Sequence, residues 1–102
     1  MSAVKYNESN FSEVRERKGV SLIDFYADWC GPCRMVMPIV EEIASEREDL
    51  LVAKINVDEN PGLAREFGIY SIPTLVVMKD GEIVKRVSGA KSKDKILDLC
   101  EV

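Results

Sequence analysis

Histidine is missing from the 102 residues altogether, and cysteine appears only three times. Together these absences narrow the chemistry sharply. Structural zinc needs four nitrogen or sulfur ligands, so Cys30, Cys33 and Cys100 would need a carboxylate or a second chain to complete a site. A secreted disulfide scaffold uses more cysteines, usually an even number. An excess of positive charge is also missing. The net charge is −4, which removes the sequence-independent attraction to phosphate and argues against a nucleic-acid partner. No cluster of lysine and arginine suggests a membrane surface. No apolar run approaches the roughly 20 residues of a membrane-spanning helix. The opening "MSAVKYNESNF" has neither an apolar stretch nor a cleavage site, so no signal peptide is expected. The two N-x-S triplets at Asn7 and Asn10 then read as chance. Repeats, low-complexity tracts and linkers are absent too. With 46% apolar and 31% charged residues the chain reads as globular, and its length suits one domain spanning 1–102.

What is present alternates strand and helix, then ends strand, strand, helix. "AVKY" (Ala3 to Tyr6) is a weak strand. A short helix follows, with Ser9 or Asn10 as its cap, Phe11 and Val14 on its inner face, and Gly19 as its stop. "VSLIDFYA" (Val20 to Ala27) is nearly continuous apolar, as a strand covered on both faces should be. The next helix is expected from about Cys33 to Arg47, kinked at Pro38, with Ile39, Val40 and Ile43 facing the core. "LLVAKINV" (Leu50 to Val57) is a second buried strand. Asn60 reads as the cap of a third helix, Pro61 as its first residue and Gly68 as its stop. "TLVVM" and "EIVKRVS" flank Asp80-Gly81, a hairpin signal that makes the last strands antiparallel. Lys93 to Glu101 forms the final helix. These elements predict an α/β fold: a mixed sheet of about five strands, with about four helices covering both faces.

The segment "FYADWCGPCRMVMP" (Phe25 to Pro38) carries the chemistry. Cys30 falls just before a helix and Cys33 in its first turn. At this spacing the sulfurs can meet or separate with little movement. Free backbone N–H groups at the helix start stabilise a thiolate on Cys30, and the thiolate is the form that attacks a disulfide. Cys33 can then attack Cys30, release the target as a dithiol and close the intramolecular disulfide. Gly31 frees the exposed loop sterically, whereas Pro32 stiffens it. A purely structural staple explains the pair less well, because so short a loop removes little unfolded-state entropy.

Two charges stand alone in apolar strands. Asp24 is either an idle edge charge or a buried carboxylate with a raised pKa, suited to take up a proton near neutrality. Lys54 is either its partner or an ordinary surface lysine. Trp29 reads as a core aromatic or as a ring beside the nucleophile. Cys100 shares a helical face with Ile96 and Leu97 and reads as a small buried hydrophobe or as a regulatory or dimer-forming thiol.

WCGPC at Trp29 to Cys33, with the preceding "DFYA" and the following "KINVDENP" and "SIPTLVVMKDGE", resembles the thioredoxin family over essentially the whole chain. C-x-x-C alone is a weak signal; the ordered set is a specific one. The resemblance implies a protein-disulfide reductase acting on disulfide-containing proteins, recharged by a thioredoxin reductase-type donor. It also implies a monomer in the cytoplasm with no bound cofactor. It makes Asp24 a buried aspartate that assists Cys33 by proton transfer through water, and Trp29 part of the substrate surface. It makes the Ile72-Pro73 bond cis, with Pro73 against the cysteines and the backbone of Ile72 open to an extended substrate segment. Gly89 is either part of the same surface or a simple turn. Tyr26 and Arg34 depart from the family's usual tryptophan and lysine. A disulfide oxidant or isomerase, a glutaredoxin and a non-catalytic module on the same fold are the competing readings.

Overall fold

The computed structural model describes residues 2–102. Nine elements follow in the order β1 (Val4–Lys5), α1 (Ser12–Glu16), β2 (Val20–Tyr26), α2 (Gly31–Glu46), β3 (Leu51–Asn56), α3 (Pro61–Glu66), β4 (Thr74–Lys79), β5 (Glu82–Ser88) and α4 (Lys93–Leu99). The strands form one sheet in the order β1-β3-β2-β4-β5. β1, β3 and β2 run parallel, whereas β4 is antiparallel to both β2 and β5. The mixed sheet and four helices agree with the sequence pattern. The β4–β5 turn is closed by Asp80 and Gly81, both at positive φ, the backbone that a tight two-residue hairpin demands.

The alternation of side chains along each strand divides the core in two. Leu22, Val52, Leu75 and Val77 face Val36, Val40 and Ile43 of α2 and Ile96 of α4. Ile23, Phe25, Ala53, Ile55 and Val76 face Phe11 and Val14 at α1 and Leu63 and Phe67 at α3. Phe67 anchors the second layer, meeting Phe11 edge-on and Phe25 at a tilt, each with ring centres 5.4 Å apart. Helices therefore cover both faces, and the central strands β2 and β4 are buried throughout most of their length.

Several boundaries differ from the sequence reading. α2 starts at Gly31 rather than near Cys33, because Pro32 occupies its first turn, where a proline loses nothing. Pro38 lies inside α2, as expected. Ile39 is only half-buried, while Val40 and Ile43 are core residues. Neither Ser9 nor Asn10 caps α1; Phe11 holds the cap position without a side-chain bond. The Asn7 side chain instead folds the preceding turn by accepting from the N–H groups of Ser9 and Asn10. Asn60 sits at the cap of α3 but makes no capping bond. Its amide oxygen accepts from the N–H of Glu8, and the Glu8 carboxylate caps the helix by accepting from Leu63 N–H at 3.2 Å. That cap comes from a residue 55 positions away, so no local pattern announces it. α4 ends at Leu99, with Ser92 as its cap.

Candidate active site

β2 ends at Tyr26, and the chain turns through Ala27 to Trp29 into α2. Cys30 occupies the cap position of α2 with extended backbone, and its sulfur accepts from Cys33 N–H at 3.2 Å. A sulfur thus takes the place that a serine or aspartate oxygen fills in other helices. The two cysteines form a disulfide across a Cα–Cα distance of 5.3 Å. Cys33 is fully buried and Cys30 nearly so, at 4% exposure, in one small cluster with Tyr26, Ala27, Met37, Val57 and Ile72. Any negative charge on Cys30 meets an aligned N–H and the positive end of a 16-residue helix.

The loop before β4 closes over the pair. Its Ile72–Pro73 peptide is cis, as the resemblance implied. The Ile72 carbonyl oxygen stands 3.8 Å from Cys30 Sγ. Gly89, at positive φ, donates its N–H to the Pro73 carbonyl at 2.8 Å. The glycine is therefore a turn and a neighbour of the site at once.

Asp24 is fully buried, and neither of its carboxylate oxygens has a hydrogen-bond partner among the described residues. It lies on the α2-facing side of β2, between Leu22 in the main core and Tyr26 in the cysteine cluster. Burial without compensation penalises the charged form, which pushes its pKa up to about 7; the positive charge of Lys54 pulls the other way. Lys54 is directly opposite Asp24 in the parallel β2–β3 register, but it is half-exposed and forms no ion pair with it. Lys54 thus acts on Asp24 through its charge, without an ion-pair contact, which combines the two alternatives the sequence leaves open.

Trp29 is 67% exposed, and its Nε1–H donates to Asp58 Oδ2 at 2.8 Å. A tryptophan so exposed cannot be held by packing, so this bond fixes the ring. Asp58 in turn sits in a turn organised by Asn56, whose buried amide oxygen accepts from the N–H groups of Asp58 and Glu59. Between Trp29 and Ile72 lies a cavity of about 160 Å³, also lined by Val57, Ile69, Tyr70 and Ser71. Asp58 and Tyr70 were not singled out from the sequence. Asp58 had a signal, an N-x-D-x-N turn directly after a buried strand; the full exposure of Tyr70 is visible only in the fold.

Arg34 reaches back to the Asp28 carbonyl at 3.0 Å and so braces the loop that carries Trp29. Cys100 is free and buried; burial pushes its thiol up to about 11. Among the described residues no three His, Cys, Asp or Glu side chains group to hold a metal ion.

Residues 2–101 match the family model for thioredoxin. A Mycobacterium tuberculosis thioredoxin is 50% identical over 98 residues, spanning 94% of this chain and 84% of its own. A Mycobacterium leprae protein named bifunctional thioredoxin reductase/thioredoxin is 52% identical over 96 residues, which are 92% of this chain and 21% of that one. Among solved structures, a mutant thioredoxin from Halobacterium salinarum superimposes with a TM-score of 0.91 at 44% identity, covering 98% of this chain and 88% of that one. The chain belongs to the thioredoxin family. It is a thiol-disulfide oxidoreductase with the thioredoxin fold, and the Cys30–Cys33 pair is positioned for dithiol-disulfide exchange. Among the described residues, no helix is long and apolar enough to cross a membrane.

Proposed function

We propose that this thioredoxin reduces disulfides of other proteins, with Cys30 as the attacking sulfur and Cys33 as the resolving one. The Cys33 N–H aimed at Cys30 Sγ at the start of α2 carries this reading. It stabilises charge on Cys30, the outer of the two sulfurs, and offers nothing comparable to Cys33. The Cys30 thiolate attacks one sulfur of the target disulfide. The target S–S bond breaks, and its second sulfur leaves as a thiolate that takes a proton from solvent. Cys33 then gives up its proton and attacks Cys30 Sγ. The mixed disulfide breaks, and the remaining target sulfur leaves as a thiolate that is protonated in turn. Two electrons pass from the chain to the target.

Asp24 is the group we assign to receive the Cys33 proton, directly or through a water. A carboxylate that titrates near neutrality can accept a proton and lose it again at little cost. Lys54 keeps part of the Asp24 population ionised by its field. Gly31 and Pro32 shape the turn between the sulfurs. Ile72 and Pro73 offer backbone to an extended target segment, Gly89 supports that loop, and Trp29 supplies an apolar platform. The working unit in this reading is the monomer. The oxidised pair is recharged by a separate thioredoxin reductase-type donor, as is typical of the family, and the domain 1–102 carries no cofactor of its own. A free, buried Cys100 in the same chain as the redox pair fits the reducing conditions of the cytoplasm.

Insulin reduction with dithiothreitol as electron source tests this reading. The chain should accelerate it catalytically, and a variant with both Cys30→Ser and Cys33→Ser should not. Equilibration of the pair against glutathione then separates a reductant from an oxidant. A pair left wholly reduced by an oxidising glutathione buffer would overturn the reductase assignment.

A further inference from the structure

Along α2 from the cysteines the surface carries a second and larger cavity of about 280 Å³, which shares no lining residue with the one beside Trp29. Met35, Val36 and Ile39 of α2 form one wall; Ala90, Lys91 and Ser92, in the loop from β5 to α4, form the other. Met35 is 69% exposed, which is unusual for a long apolar side chain and gives the wall an adaptable surface.

The loop wall of the cavity follows directly on Gly89, which is tied to the active-site loop. Gly89 holds the Pro73 carbonyl, and the Lys91 ammonium stands 3.6 Å from where a side-chain carbon on Gly89 would be. Lys91 Nζ is pinned there by the Ser88 carbonyl at 2.9 Å. The other cations nearby are spoken for. Lys93 bonds Glu42 and Glu46, and Arg34 reaches the Asp28 carbonyl. Lys91 forms no ion pair among the described residues. At the other cavity, the lining Trp29 is bonded to the carboxylate of Asp58. The groups close to the two cavities therefore differ in charge.

We propose that the Met35–Ala90 cavity is a specificity subsite for the disulfide-bearing segment of a target protein, and that it takes an apolar side chain flanked by a carboxylate. The inference rests on the reductase reading above and adds a substrate preference to it. The apolar side chain lies on Met35 and Ile39, and the carboxylate pairs with Lys91.

Two synthetic disulfide-linked peptides test it, one with leucine and glutamate beside the cysteine, the other with leucine and lysine. Both meet the same sulfurs, so any change in cysteine chemistry cancels in the ratio of their kcat/KM values. The wild type should favour the glutamate peptide about two- to fivefold, the range of one solvent-exposed ion pair, and lose the preference at high salt. Lys91→Gln should flatten the ratio and Lys91→Glu should invert it. A third peptide with serine in place of leucine should be poorer, by a margin that shrinks in Met35→Ser. An unmoved ratio in Lys91→Glu would overturn the proposal. So would equal reduction of the charged peptides with an altered KM for the reductase alone, which would give the cavity to the electron donor. A wild type that reduces neither peptide nor insulin would instead refute the reductase reading itself.

Discussion

Replacing Asp24 with asparagine removes a buried carboxyl that has no hydrogen-bond partner, and the effect on stability should depend on pH in a specific way. Burial raises the pKa from 3.8 to about 7 in the native chain. Below pH ~4 the carboxyl is protonated in both folded and unfolded chains and contributes no pH dependence. Between about 4 and 7 the unfolded chain ionises and the native one does not, so native stability falls by about 1.4 kcal/mol per pH unit. Above the folded pKa the penalty levels off at about 4 kcal/mol, from roughly three units at 1.36 kcal/mol each. Asp24→Asn escapes all of it. Its advantage over the wild type should grow from pH 4 to pH 7 and then stay constant. Other titrating groups are shared by both proteins and cancel in the difference. Urea unfolding of the two oxidised proteins from pH 3 to pH 9 measures that difference. Parallel pH profiles would refute the reasoning, since they would mean that Asp24 titrates alike in both states. Lys54→Met should raise the Asp24 pKa further, because Lys54 is the group that holds it down, and so move the plateau to higher pH.

Turnover should respond in the opposite sense to stability. Only ionised Asp24 can accept a proton, so resolution of the mixed disulfide in the wild type should slow as pH falls through 7. In Asp24→Asn stopped-flow kinetics should find it slower throughout and without that inflection. Asp58→Ala should free the indole of Trp29, since the carboxylate is its hydrogen-bond partner. The fluorescence of this lone tryptophan should become more mobile by anisotropy, and KM for protein disulfides should rise several-fold with the cysteines intact. Cys100 should resist alkylation by iodoacetamide at pH 8 in the native reduced protein, while Cys30 reacts faster: the Cys100 thiol is raised to about 11, whereas charge on the equally buried Cys30 meets the Cys33 N–H at the start of α2. Peptide mapping distinguishes the two. Glu8→Ala should destabilise the chain by about 1 kcal/mol, the usual worth of a helix cap, because it uncaps α3; thermal melting reads it.

The elements that could be read from sequence were those dictated by local chemistry. β2 and β3 are buried apolar runs, the β4–β5 hairpin is set by Asp80-Gly81, and the start of α3 by Pro61. The cysteine pair and Asp24 were legible for the same reason, since a charge in an unbroken apolar strand has to be explained. The misses involve residues far apart in sequence. The cap of α3 comes from Glu8, so Asn60, the expected cap, is free to brace the Glu8 backbone instead. Lys54 could be placed on the next strand, but its partial exposure follows from the folded sheet, in which only the two-residue strand β1 lies outside β3. The Trp29–Asp58 bond and the Met35–Ala90 cavity join segments that only the folded topology brings together.

Which sulfur a target meets first is the centre of the account, and a trapped complex measures it directly. Cys33→Ser, in a background where Cys100 is replaced by alanine, should attack a protein disulfide and stop there. Mass spectrometry of the digested complex should find the target sulfur joined to Cys30. In the matching Cys30→Ser protein no complex should accumulate, because Cys33 is fully buried and lacks the N–H that stabilises charge on Cys30. A complex bridged through Cys33 in that protein, or none in Cys33→Ser, would contradict the assignment of Cys30 as the nucleophile.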